Sequence, residues 1–113
     1  MPRVAVSKEA APMKVAEAAR RLGLHIKTAR QRRRLRQVEL ARRAGITVQT
    51  LRRVENGSLG TGIGAYLAAL WAMGLDAAVA DLASPESDIE GRTIEAANRG
   101  DRIRSTEALD NEF

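Results

Sequence analysis

Five side chains near the middle of the chain, Val48, Gln49, Arg52, Arg53 and Asn56, carry groups suited to holding a nucleic acid. The carboxamide of Gln49 offers a donor and an acceptor, which matches the two-point edge of an adenine. The methyl groups of Val48 can meet a thymine methyl, and Arg52 can reach a guanine or a phosphate. Thr47, like Val48 and Gln49, is expected to face base edges, whereas Arg53 and Asn56 suit the sugar-phosphate backbone, with Thr50 as a further polar neighbour. Gln37, eleven residues before Val48, can bond a phosphate through its amide if it opens a helix. Covalent chemistry has little to work with. There is no cysteine and one histidine, and the carboxylates do not cluster. No catalytic residue, metal site or cofactor is therefore expected. Gly60, Gly62 and Gly64 form a G-x-G-x-G run. It follows a helical pattern rather than a strand and lacks a following Lys-Ser/Thr, so neither nucleotide fingerprint fits.

Side chains of this kind need a rigid seat, and residues 37–57, QVELARRAGITVQTLRRVENG, supply one. Leu40, Ala41 and Ala44 form an apolar stripe on a first short helix. Gly45 closes it, where positive φ is often required. Ile46 is a buried turn residue, and Thr47 caps a second helix with Leu51 and Val54 inward. Asn56-Gly57 ends that helix as a turn dipeptide. Two helices over a Gly-containing turn make a helix-turn-helix, whose second helix enters the major groove.

Charge agrees. From Arg20 to Arg53 there are twelve Lys and Arg against one acid inside the run, Glu39. A basic run alone is as often a solvated face. Here it lies outside a two-helix unit with an intact apolar interior, which points to a polyanion. The four arginines Arg32, Arg33, Arg34 and Arg36 also suit a helix C-terminus electrostatically. Residues 84–113 carry four bases and eight acids, so the end of the chain suits a different partner.

The segment resembles the DNA-binding domain of the Xre-like, phage-repressor and Cro type. The matching residues are Gln37, Glu39-Leu40-Ala41, Ala44-Gly45-Ile46, Thr50-Leu51 and Glu55-Asn56-Gly57, and the likeness runs from about Leu22 to Leu75. Arg36 departs from it, standing where a small capping residue is usual. The resemblance implies a mainly α, lambda-repressor-like bundle of four to five helices. It also implies a homodimer on a palindromic double-stranded operator, and an ion pair between Arg30 and Glu55 that holds Arg30 near a phosphate.

Around this centre, residues 1–11 are expected to form a flexible arm and 12–75 the DNA-binding domain. A helix is expected from Pro12 to Leu35, with Val15, Ala19, Leu22, Ile26 and Ala29 on one face and a break or kink at Gly23. Another is expected over 62–73 with Ile63, Leu67, Leu70 and Trp71 inward, Trp71 serving as core or dimer seam. The weak alternation over 76–83 suggests a short strand, which would need its twin in a second subunit. With Ser84-Pro85-Glu86-Ser87, that strand is similar to the HipB-like antitoxins, and the likeness implies a HipA-like kinase toxin as partner. Ser87-x-x-Glu90 has capping-box spacing, so a helix is expected over 88–99 ending at Gly100. Ile89, Ile94, Ile103, Leu109 and Phe113, spaced along the acidic tail 84–113, suit a segment that orders on a partner; a solubilising tail is the alternative. A free-standing regulator remains the competing function. No apolar run approaches bilayer length, and a cytoplasmic location with no membrane and no small-molecule ligand is expected.

Overall fold

In a computed structural model, residues 12–112 are described, and their side chains as far as residue 104. Among them are six helices and no strand: α1 Met13–Arg32, α2 Gln37–Ala44, α3 Val48–Glu55, α4 Ile63–Ala72, α5 Asp76–Ala80 and α6 Ile89–Glu112. They divide into two compact units, one ending at Ala80 and one beginning at Asp81.

In the first unit α1 packs on α3, α2 on α3 and α4, and α4 on α3 and α5. Four side chains contributed by α1, α2 and α3, Ile26, Leu40, Leu51 and Val54, are fully buried. Each contributes about 1.5–3 kcal/mol by leaving water. Ala41, Tyr66, Ala69, Leu70 and Met73 close the core around them.

Helix α1 starts after Pro12, whose backbone is extended (ψ 150°), and runs unbroken through Gly23. The expected break is absent because Gly23 is a contact point. A Cβ there would lie 2.5 Å from the Val54 carbonyl oxygen and 2.8 Å from the Gly57 nitrogen. The bare backbone is what lets α1 touch the end of α3. Gly57 reciprocates, as its own Cβ would lie 2.6 Å from Arg20 Cα.

The helix stops at Arg32, three residues short of the expected Leu35. Arg34 turns left-handed (φ 53°), which costs about 1–2 kcal/mol for a residue with a Cβ. In return the Leu35 N–H donates to the Arg30 carbonyl and the Arg34 N–H to that of Gln31, and Leu35 enters the core.

The turn of the helix-turn-helix forms as its sequence predicts. Gly45 is left-handed at φ 72°, and Ile46 packs against the core. The Thr47 Oγ1 accepts from the Thr50 N–H at 3.1 Å, capping α3.

Helix α4 lies within the expected residues, and of the four expected inward Leu70 is buried and Leu67 half-buried while Ile63 and Trp71 face out. Tyr66, Ala69, Leu70 and Met73 are buried, while Ile63 and Trp71 are 70% and 62% exposed. The helix is apolar all round, so periodicity could not choose a face. Its rotation is instead fixed by polar needs: the Tyr66 hydroxyl donates to the Ser58 carbonyl at 2.7 Å.

The strand expected over 76–83 is absent, and with it the cross-dimer pairing it implied. Residues Asp76–Ala80 form α5 instead. Alanine is the best helix former and is depleted in strands. An acid in the first turn complements the helix dipole, and Val79 packs against the core.

In the second unit α6 continues through Gly100 to Glu112, well past the expected end. The cap is Asp88, not Ser87: its Oδ1 accepts from the Gly91 N–H at 3.0 Å. Along α6, Arg99 pairs with Glu95 and Arg104 with Asp101. Such pairs return about 0.2–0.5 kcal/mol each against the roughly 1 kcal/mol that each of Gly91 and Gly100 costs in a helix.

Candidate nucleic-acid interface

The outer face of α3 follows from its inner one. Leu51, Val54 and Glu55 are buried, so positions 49, 52, 53 and 56 fall together on the opposite side at i, i+3, i+4 and i+7. Gln49, Arg52, Arg53 and Asn56 are all exposed there. They form one polar, basic stripe along a helix whose N-terminus is open beyond its threonine cap.

Val48 is different. It is half-buried and packs against the core, so only part of it faces outward. Thr47 and Thr50 are also engaged locally, the Thr47 hydroxyl donating to Thr50 Oγ1 at 2.9 Å. Their first role is to start the helix.

Behind the stripe lies a buried ion pair. Arg30 Nε donates to Glu55 Oε2 at 2.6 Å, and Arg30 Nη2 to Glu55 Oε1 at 3.0 Å. The two residues are only 8% and 7% exposed. The Arg30 Nη1 donates to the Leu35 carbonyl at 2.9 Å. A desolvated pair needs this full set of hydrogen bonds to repay its burial, and no buried side-chain polar atom among the described residues lacks a partner. The pair ties α1 to the end of α3, as the family resemblance implies. Arg30 is thereby committed to the interior rather than to a phosphate.

Gln37, the first residue of α2, joins the same network. Its Nε2 donates to Glu55 Oε1 at 3.0 Å, and its Oε1 accepts from Arg52 Nε at 3.4 Å. One Nε2 hydrogen remains for a phosphate.

Two further arginines of the basic run serve the architecture. The Glu39 carboxylate accepts from the Arg36 Nε at 2.9 Å and from its backbone N–H at 3.1 Å. The Arg36 side-chain bond first, and the backbone bond second, hold the Glu39 carboxyl below the usual carboxylate range. Arg36 thus occupies the capping position although its side chain cannot accept a backbone N–H; the glutamate three residues on makes the reciprocal bond. Arg33 donates to the Ala29 carbonyl at 3.0 Å and to that of Met73, at the end of α4, at 3.4 Å. The E-at-N3 spacing could have revealed the first role. Nothing local signals the second.

The expected partner-binding residues of the second unit are spread along α6. Ile89, Ile94 and Ile103 are all exposed. Leu109 lies in α6 beyond the described side chains, and Phe113 lies outside the described residues.

A family model described as a helix-turn-helix domain matches residues 21–83. No curated protein and no solved structure matches the chain. Among the described residues no helix is long and apolar enough to cross a membrane.

Proposed function

The chain belongs to the helix-turn-helix domain family of DNA-binding regulators, and from that premise we propose that it represses transcription by sequence-specific binding of double-stranded DNA. One observation carries the proposal: the Gln49, Arg52, Arg53, Asn56 stripe, exposed on a recognition helix fixed from behind by a buried ion pair. Gln49 reads an adenine edge and Arg52 a guanine, with the exposed part of Val48 toward a thymine methyl. Arg53, Asn56 and the free Gln37 N–H hold phosphates, and Thr47 and Thr50 keep the helix N-terminus open toward the groove. Selection from a random duplex pool tests this. An enriched, protected sequence supports it; retention of all duplexes alike sinks it.

We further propose a homodimer on a palindromic operator with half-sites about 34 Å apart or a multiple of that. In support, residues 58–75 contain no charged side chain, and Ile63, Leu67 and Trp71 follow one another at i, i+4 and i+8 along α4, with Ile63 and Trp71 exposed. Trp71 is the sole tryptophan, so its emission reports the seam directly. A blue shift with rising protein concentration supports the dimer, and a constant solvent-like spectrum with monomeric mass counts against it.

A second reading makes the protein an antitoxin that neutralises a HipA-like kinase and represses the shared operon. Its support is now α6, a separate acidic unit with exposed isoleucines, since the segment likened to a HipB-type strand is helical. Pull-down from native extract with the full chain and a version ending at Ala83 separates the readings. A kinase held by the full chain and lost on truncation supports the antitoxin. Absence of a stoichiometric protein partner leaves a free-standing repressor.

A further inference from the structure

The carboxamide of Gln37 is engaged at both ends, and chemistry allows it only one orientation. A carboxylate can only accept and a guanidinium can only donate, whereas a carboxamide does both. The Gln37 NH2 must therefore face Glu55 and its oxygen must face Arg52, as the 3.0 Å and 3.4 Å contacts have it. Glu55 is immobilised in turn by two bonds from Arg30, and Arg30 by the Leu35 carbonyl. A chain of donors and acceptors thus runs from the interior to an exposed arginine on the recognition helix.

The contact uses Arg52 Nε. It does not use Nη1 or Nη2, whose outer N–H groups can form the end-on bidentate bond to guanine O6 and N7. A free arginine side chain loses much rotamer freedom when it binds. One held at Nε has lost part of it already.

From this geometry we infer that Gln37 is a positioning residue, which aims Arg52 at its base pair from the buried Arg30–Glu55 ion pair. Sequence preference at the Arg52 step then depends on a side chain that itself touches no base. This rests on the DNA-binding function proposed above and extends it. A phosphate contact through the second Gln37 N–H is compatible, but it cannot by itself produce a base preference.

The test is a double-mutant cycle with the full chain. Wild type first selects its operator from a random duplex pool. Wild type, Gln37→Met, Arg52→Ala and the double variant are then titrated against that operator, its single-base-pair variants and random duplex. Gln37→Met should lower the operator-to-random ratio roughly ten-fold, the size of one bidentate contact. It should flatten preference at the same base pair that Arg52→Ala flattens, and change nothing further in the Arg52→Ala background. Equal losses on operator and random DNA, or the same loss with and without Arg52, would overturn the inference and leave DNA recognition standing. If wild type enriches no sequence, both fall. A readout on wild type alone covers a Gln37→Met variant that fails to fold. The Arg52 Nε–H should exchange with water measurably more slowly than that of Arg53, which has no such partner. Equal exchange would refute the coupling.

Discussion

Replacing Gly23 with alanine sets two effects of opposite sign against each other. In an exposed helix interior, Gly→Ala stabilises by about 1 kcal/mol. At Gly23 the new methyl group would stand 2.5 Å from the Val54 carbonyl oxygen, 2.7 Å from that of Glu55 and 2.8 Å from the Gly57 nitrogen. All three atoms are backbone, so no rotamer change relieves the overlap. Helices α1 and α3 must separate, and the Arg30–Glu55 bonds that span them stretch with them. Overpacking of this kind costs ~1–3 kcal/mol or more, and the rigid neighbours put Gly23→Ala at the upper end. The net loss should be ~2 kcal/mol, or ~10 °C in Tm for a domain of this size. Urea and thermal unfolding followed by circular dichroism measure it. Gly100→Ala is the control, because nothing lies within 4 Å of the Cβ it would add, and it should be neutral or stabilising. If Gly23→Ala raised Tm as Gly100→Ala does, the close approach of α1 and α3 would be wrong.

Arg30→Ala leaves the Glu55 carboxylate buried with only the Gln37 donor, and should cost ~3–5 kcal/mol in urea unfolding; a loss under 1 kcal/mol would mean that water reaches the pair. Burial raises the Tyr66 hydroxyl above its ordinary 10.0. Its contribution is therefore complete below pH 10.0 and lost as pH climbs through the higher folded value. The phenolate absorbance of this sole tyrosine should titrate later in the folded protein than in urea, and Tyr66→Phe should remove the corresponding alkaline loss of stability; coincident titrations would argue against burial. On the selected operator Gln49→Ala should cost ~1–3 kcal/mol and relax preference at one base pair, whereas Arg53→Ala should weaken operator and random duplex alike. Equal losses on both duplexes from Gln49→Ala would remove it as a base reader.

Where the determinants are local, the chain declares its structure. Gly45 and the Thr47 cap mark the turn, Leu40 and Leu51 mark the inward faces, and all four behave as their types require. The Arg30–Glu55 pair spans 25 residues, and no local pattern reveals it; only the family likeness did. Three features were hidden for physical reasons. Helix α4 has no polar face, so its rotation is set by one tyrosine hydroxyl seeking a carbonyl from the preceding loop. The small side chains around Val79 alternate without contrast, and alternation among alanines carries no strand signal. Gly23 reads as a weakness in a helix until its neighbour in space is known. The recognition stripe was legible almost entire, but the engagement of Gln37 with Arg52 depends on three helices meeting.

The basic run also looks different once its partners are counted. Of the twelve cations from Arg20 to Arg53, Arg30, Arg33 and Arg36 already donate to protein carboxylates or backbone carbonyls. That leaves nine that could displace counterions from a duplex, and no single docking geometry brings all nine to phosphates. Each phosphate neutralised steepens the fall of log affinity with log salt by about 0.9. Nine is therefore a ceiling for this segment, about −8 in slope for each copy on DNA. Of the three withheld arginines, Arg30 and Arg36 face carboxylates and Arg33 backbone carbonyls, and salt concentration should act on the two ion pairs as stability rather than as affinity.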